Sequence, residues 1–92
     1  MENRDLRLYR YGDGQLYKHH TFSKTSHMFK TYEECETTYI GLLNNSQKRR
    51  IKNNMEPFTK TSPPKNMQYA IIEYFGNYDS KIIKILNPED YL

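Results

Sequence analysis

Apolar and polar positions alternate near the start of the chain. The run LRLYRY puts Leu6 and Leu8 on one side of a predicted strand and Arg7, Tyr9 and Tyr11 on the opposite side. Gly-Asp-Gly at 12–14 predicts a hairpin turn, because glycine accepts positive φ angles without steric cost. Residues 15–22 form the returning strand, and residues 1–5 are expected to be a loose N-terminus. One sheet face is expected to collect five side chains: Arg7, Tyr9, Tyr11, Tyr17 and His19.

A capped amphipathic helix is predicted after this hairpin. Thr31 and Glu34 match the capping box, in which the Thr hydroxyl accepts a hydrogen bond from the backbone N–H three residues later. The helix is expected from about Tyr32 to Leu43, and the asparagines at 44–45 are expected to end it. Five apolar residues recur at helical spacing and form one stripe toward the core: Tyr32, Cys35, Tyr39, Leu42 and Leu43.

Residues 46–65 form a connecting segment of different character. Ser46 predicts the start of a short second helix that reaches about Asn53. Three prolines between 57 and 64 exclude a helix or a central strand there, which leaves a loop. Because the segment has few apolar anchors, we expect it to be among the least rigid parts of the fold and to order on a partner.

The alternating pattern returns in the last third of the chain. Residues 67–75 and 81–86 predict two strands joined by a turn at 76–80. Both strands carry isoleucine on both faces, so we expect this hairpin to be covered on both sides at the centre of the sheet. The order ββααββ over residues 1–92 predicts one α+β domain. Its small, four-stranded, mainly antiparallel sheet has two hairpins, with one main capped helix and a short second helix.

Composition restricts the function. Hydrophobic residues make up 36% of the chain, below the roughly 45–50% that is usual for globular domains. An internal pocket would compete with the core for apolar side chains, so we expect no catalytic activity and a function carried by the surface. The chain has a charged N-terminus and no apolar run long enough to span a membrane. These features favour a cytoplasmic protein without membrane association.

Positive charge is concentrated in the connecting segment. Residues 46–65 hold six basic residues and one acidic residue, a local charge of +5 in a chain of net charge +3. Lys and Arg bind phosphates, and the neighbouring Asn and Gln side chains can bond bases or sugars. The alternative interpretation is a solvated helix face. The candidate binding residues here are Lys48, Arg49, Arg50, Lys52, Lys60 and Lys65.

The sequence gives little support for a metal site or a catalytic cysteine. His19, His20, His27 and Cys35 match no standard structural zinc spacing, and adjacent strand residues face opposite sides of a sheet. We therefore expect no metal and no cofactor. Cys35 lies in the apolar stripe of the helix and is expected to be a core residue rather than a nucleophile.

One family resemblance covers residues 6–43. A strand hairpin followed by FKTYEEC and an amphipathic helix resembles the arm-type DNA-binding domains of tyrosine recombinases. The resemblance implies that Arg7, Tyr9 and Tyr17 would read a DNA groove. The second hairpin departs from that pattern, so it does not assign the chain to the family.

The sequence leaves three candidate functions. The first is a non-catalytic inhibitor, of the kind that phages and mobile elements encode against host-defence nucleases such as CRISPR effectors. Its partner would be a host protein or ribonucleoprotein, in the host cytoplasm, reached through the basic, Tyr-rich surface. The second is a direct DNA- or RNA-binding module that uses Lys48, Arg49 and Arg50 with the Tyr-rich sheet face. The third is a small hydrolase or nuclease. The doubly apolar second hairpin is also a candidate homodimer surface.

Overall fold

The computed structural model describes residues 5–17, 28–75 and 79–92. Its strands follow the order β2-β1-β3-β4, with every neighbouring pair antiparallel. The predicted α+β class and the four-stranded antiparallel sheet are confirmed. The elements are β1 (Asp5–Gly12), β2 (Gln15–Tyr17), α1 (Tyr32–Lys52), β3 (Tyr69–Phe75), β4 (Asp79–Leu86) and a 3₁₀ turn over Pro88–Tyr91. The predictions made for residues 1–4, 18–27 and 76–78 lie outside the described residues.

The helix begins where the capping pattern predicts and ends later than expected. Thr31 accepts a hydrogen bond from the backbone N–H of Glu34 at 3.1 Å. The order ββααββ is not found, since the described residues contain one 21-residue α-helix where two were predicted. Asn44 and Asn45 do not end it, because asparagine costs a helix only about 0.7 kcal/mol. Leu43, which is 3% exposed, holds the helix on the sheet one residue earlier.

A Schellman motif forms the true end of α1. Asn53 is the C-cap, and Asn54 adopts a left-handed conformation at φ 57°. The Asn54 N–H donates to the Ile51 carbonyl, and the Met55 N–H donates to the Arg50 carbonyl, both at 3.0 Å. These two bonds satisfy carbonyls that a helix terminus otherwise leaves unpaired. The turn redirects the chain back along the helix.

The main core lies between α1 and one face of the sheet. The predicted apolar stripe is confirmed, and Tyr39 is its centre. Its ring lies 5.6 Å from that of Tyr69 and 5.4 Å from that of Tyr91, and its hydroxyl donates to the Met67 carbonyl at 2.6 Å. Tyr91 in turn donates to Glu36 at 2.6 Å. The buried members are Leu6, Leu8, Phe29, Cys35, Tyr39, Leu43, Tyr69, Ile71 and Leu86.

The opposite sheet face carries a smaller cluster built on Tyr9, Ala70 and Ile72. β3 therefore buries side chains on both faces, as expected for a central strand. The same expectation is wrong for β4, which is an edge strand in the described sheet and leaves Ile82 43% exposed. A register shift opposite Ile71 and Ile72 displaces the β4 isoleucines from simple alternation.

The left-handed residue at the helix end supplies a stability test. Asn54→Gly is expected to raise the free energy of unfolding by about 0.5–1 kcal/mol, because glycine adopts positive φ without strain. Asn53→Gly is the matched control, since Asn53 has a φ of −92° and glycine there gains no relief. Urea denaturation followed by circular dichroism measures both. Equal effects from the two substitutions would contradict the strain argument.

The tyrosine core predicts loss of stability in alkali. Burial raises the pKa of Tyr39, Tyr69 and Tyr91 above the ordinary value of 10.0. Above pH 10 the unfolded chain therefore loses the phenolic protons that the folded protein still keeps. The free energy of unfolding has its full value below pH 10 and falls as the pH rises above it. Urea midpoints and tyrosinate absorbance at increasing pH check this. Ionisation of all nine tyrosines before loss of circular dichroism would contradict it.

Candidate interaction surface at the end of the helix

The helix divides the basic segment into two groups that face different directions. Arg49 and Arg50 line a groove together with Lys65 from the following loop. Lys48 and Lys52 lie on the exposed side of α1 and do not line it. The six cations predicted as one patch thus form a groove set and an outer set, with Lys60 exposed on the loop turn.

The groove lies between the last helical turns and the returning loop. Its volume is about 270 Å³, which is below the roughly 300–1,000 Å³ of small-molecule pockets. It suits one or two side chains of a partner rather than an enclosed ligand. Its lining combines cations and an amide with an apolar floor: Ser46, Arg49, Arg50, Asn53, Met55, Phe58, Pro64, Lys65 and Met67.

Hydrogen bonds and a cation–π contact hold the loop wall of this groove against the helix. Gln47 donates to the Phe58 carbonyl at 3.0 Å and accepts from the Phe58 N–H at 2.7 Å. Arg50 donates from Nε to the Glu56 carbonyl, and its guanidinium lies 4.3 Å from the centre of the Phe58 ring. These contacts connect the two walls of the groove within the chain itself. They oppose the predicted lack of rigidity in this segment.

The groove is electropositive. Among the described residues, Arg49, Arg50 and Lys65 form no ion pair with an acidic side chain. Cations in the last helical turn also complement the negative end of the helix dipole, which explains part of their placement. Lys65 lies outside the helix and has no such explanation.

The predicted sheet-face residues are not brought to this groove. Arg7 pairs with Asp5 at 2.8 Å and lies 5.4 Å from the centre of the Tyr74 ring. Tyr9 is only 7% exposed, and burial raises its pKa, to which a hydrogen bond with Tyr74 contributes. The Tyr9 ring is therefore not exposed for stacking on bases, and the Arg7 guanidinium is already engaged within the chain. Tyr11 lies on the same face and is half-buried.

The face assignment of Tyr17 is wrong. The two-residue turn at Asp13 and Gly14, both with positive φ, pairs Tyr17 with Arg10 and Leu16 with Tyr11. Directly paired residues share a face, so a one-residue difference in register moves Tyr17 to the other side of the sheet. There its ring lies 4.0 Å from the Arg10 guanidinium. His19 lies outside the described residues.

Cys35 is fully buried in the core. Among the described residues no three His, Cys, Asp or Glu side chains come together as a metal site, and all three histidines lie outside those residues. The one long helix in the described ranges is too polar to span a bilayer.

Sequence reasoning missed the residues that complete the groove. Gln47 orients the loop through its amide, and nothing in a single sequence distinguishes it from its polar neighbours. Met55 and Phe58 were detectable, because they are isolated apolar residues in a polar segment. Met55 is 50% exposed in the groove wall.

No protein-family model, no curated protein and no solved structure matches this chain. The groove and its charges are therefore the basis for any functional assignment.

The two hydrogen bonds between Gln47 and Phe58 predict that the backbone amides of this loop are protected from hydrogen exchange. Gln47→Ala removes both hydrogen bonds to Phe58, each worth about 1 kcal/mol, so amide exchange at residues 56–60 is expected to accelerate about tenfold or more. Asn45→Ala is the matched control, an amide truncated on an exposed position of the same helix. Hydrogen-exchange mass spectrometry reports both. If Phe58 exchanges without protection in the unsubstituted protein, the loop is not held and the original expectation of a loose segment stands.

Proposed function

We propose that this protein is a non-catalytic interaction module that binds an acidic protein surface through the groove at the end of α1. The observation that carries the proposal is the convergence of Arg49, Arg50 and Lys65 on one groove with an apolar floor and no acidic residue among its lining. Carboxylates of a partner would meet the cations, and a neighbouring apolar side chain would meet Met55 and Phe58. Arginine suits such a site because its planar fork binds carboxylates in a bidentate manner.

The shape of the groove favours a protein over a small molecule or a nucleic acid base. A volume of about 270 Å³ accepts one or two side chains, and interfaces concentrate binding energy in such small, well-packed pockets. Recognition of exposed bases uses open aromatic faces next to cations. Here Tyr9 is buried and Arg7 is paired, which removes the aromatic half of that arrangement.

The wider role proposed for the module is inhibition of a nucleic-acid-handling machine, as phage-type proteins do against host-defence nucleases of the CRISPR class. Small size and a charged surface support it. Such machines present acidic protein surface, which the groove fits. The chemistry of the groove defines the partner as a protein with exposed carboxylates.

Direct binding of DNA or RNA is the second candidate. Six cations over residues 48–65 without acidic partners in the described residues favour it. It predicts affinity that falls steeply with salt, with a slope of about 0.7–0.9 per phosphate contact in a double-logarithmic plot. It also predicts that the groove set and the outer set of cations contribute alike.

Two double substitutions with the same change in charge separate these functions. Arg49→Gln with Lys65→Gln alters the groove, whereas Lys48→Gln with Lys52→Gln alters only the outer set. Each is tested by titration of labelled single- and double-stranded DNA and RNA at two salt concentrations, and by retention of partners from a nuclease-treated lysate. We expect retention to survive nuclease treatment, to fall at least about tenfold in the groove variant, and to persist in the outer variant.

Two results would overturn the proposal. Retention that disappears on nuclease treatment would assign the cations to nucleic acid. Equal losses in the two double variants would show a general charge effect rather than a site. Arg50 is left unchanged in both variants, because it also holds the loop through Glu56 and Phe58.

A further inference from the structure

The outer face of α1 forms a continuous exposed stripe. Its residues recur at helical spacing on the side opposite the buried Cys35, Tyr39 and Leu43. Every member is exposed: Glu33, Glu34, Thr37, Ile40, Asn44, Lys48, Ile51 and Lys52. The stripe is separate from the groove, because none of its residues lines the groove.

Charge is segregated along this stripe. Glu33 and Glu34 lie in the first turn, and Lys48 and Lys52 lie in the last two turns. None of the four forms an ion pair in the described part of the chain. The two charged groups are roughly 25 Å apart, at 1.5 Å per residue. A helix of this kind is complementary to itself when a second copy is placed antiparallel.

The uncharged positions fit the same arrangement. Ile40 is 37% exposed and Ile51 is 57% exposed, so the stripe contains apolar surface that the chain itself does not cover. Gly41 lies close to the midpoint between the acidic and the basic pair. A Cβ built on Gly41 meets nothing within 4 Å, so its side of the helix is open, and a residue without a side chain lets two helix axes approach closely.

We propose that the outer stripe of α1 is a homodimer surface, on which two copies pack antiparallel around Gly41. Glu33 and Glu34 of each copy then face Lys48 and Lys52 of the other, and the twofold axis passes near Gly41. A parallel pair would place like charges together and is disfavoured. An isologous contact of this kind closes at two copies, because the same patch is used on both sides.

The proposed dimer leaves the groove of Arg49, Arg50 and Lys65 unoccupied. Self-association and partner binding therefore use different cations of the basic segment. A dimer would present two grooves, one from each copy.

Charge exchange tests the proposal. Sedimentation equilibrium is expected to show a dimer that weakens with added salt. Glu33→Lys with Glu34→Lys makes the stripe wholly basic and is expected to raise the dimer dissociation constant about tenfold or more. Adding Lys48→Glu and Lys52→Glu to the same chain restores opposite charges across the antiparallel pair, and association is expected to return. Circular dichroism confirms that each variant retains its helix.

A second pair of variants works without changing charge. Gly41→Gln replaces glycine with a better helix former in open space, so the folded monomer is expected to become more stable while association falls. Gly41→Ala is the matched control, which stabilises the helix and leaves the axes close. Concentration-independent monomer in the unsubstituted protein at low salt overturns the proposal. A dimer that is unaffected by both Gly41→Gln and the charge reversal places the contact elsewhere, for example on the second hairpin, and overturns it too.

Discussion

The position of Tyr39 is the constraint on which the rest of the structure depends. Its ring fills the space between α1, β3 and the 3₁₀ turn, and its hydroxyl donates to the Met67 carbonyl just before β3 begins. One side chain thus fixes the helix against the sheet and fixes the point at which the chain enters its central strand. The connecting loop must span from the helix end at Asn53 back to that point. Tyr91, held by Glu36, packs the C-terminal turn on the same ring.

The groove follows from these fixed ends. The Schellman turn at Asn54 reverses the chain, and Gln47 then holds Phe58 against the helix. The chain between these anchors lies against the last helical turns. A concave surface with cations on its rim and an apolar floor is the result. Polar contacts to backbone atoms take the place of hydrophobic anchors in this segment.

The sequence predicts local features well and non-local ones poorly. The cap at Thr31 and the alternation of β1 depend on neighbours within four residues, and both are found. The helix end was misplaced because Asn44 and Asn45 carry only a weak local preference, which the packing of Leu43 exceeds. Tyr17 was misplaced because the face of a hairpin strand depends on register, and residue alternation alone does not define register. The groove joins residues up to 21 positions apart in sequence (Ser46 to Met67), and no pattern along the chain contains that information.

The helix dipole does not account for all of the charge on α1. Acidic residues in the first turn and basic residues in the last turn are what the dipole favours, and this explanation is sufficient for Glu34 and Arg49 taken singly. It does not explain why Lys65, from a loop, joins Arg49 and Arg50 around an apolar floor. Nor does it require exposed isoleucines between the charged ends of the outer stripe. If the helix dipole alone determined where charge lies, the helix surface between its ends would be polar and the loop would be neutral. The groove and the exposed isoleucines lie on opposite sides of the helix, as the two proposed contacts require.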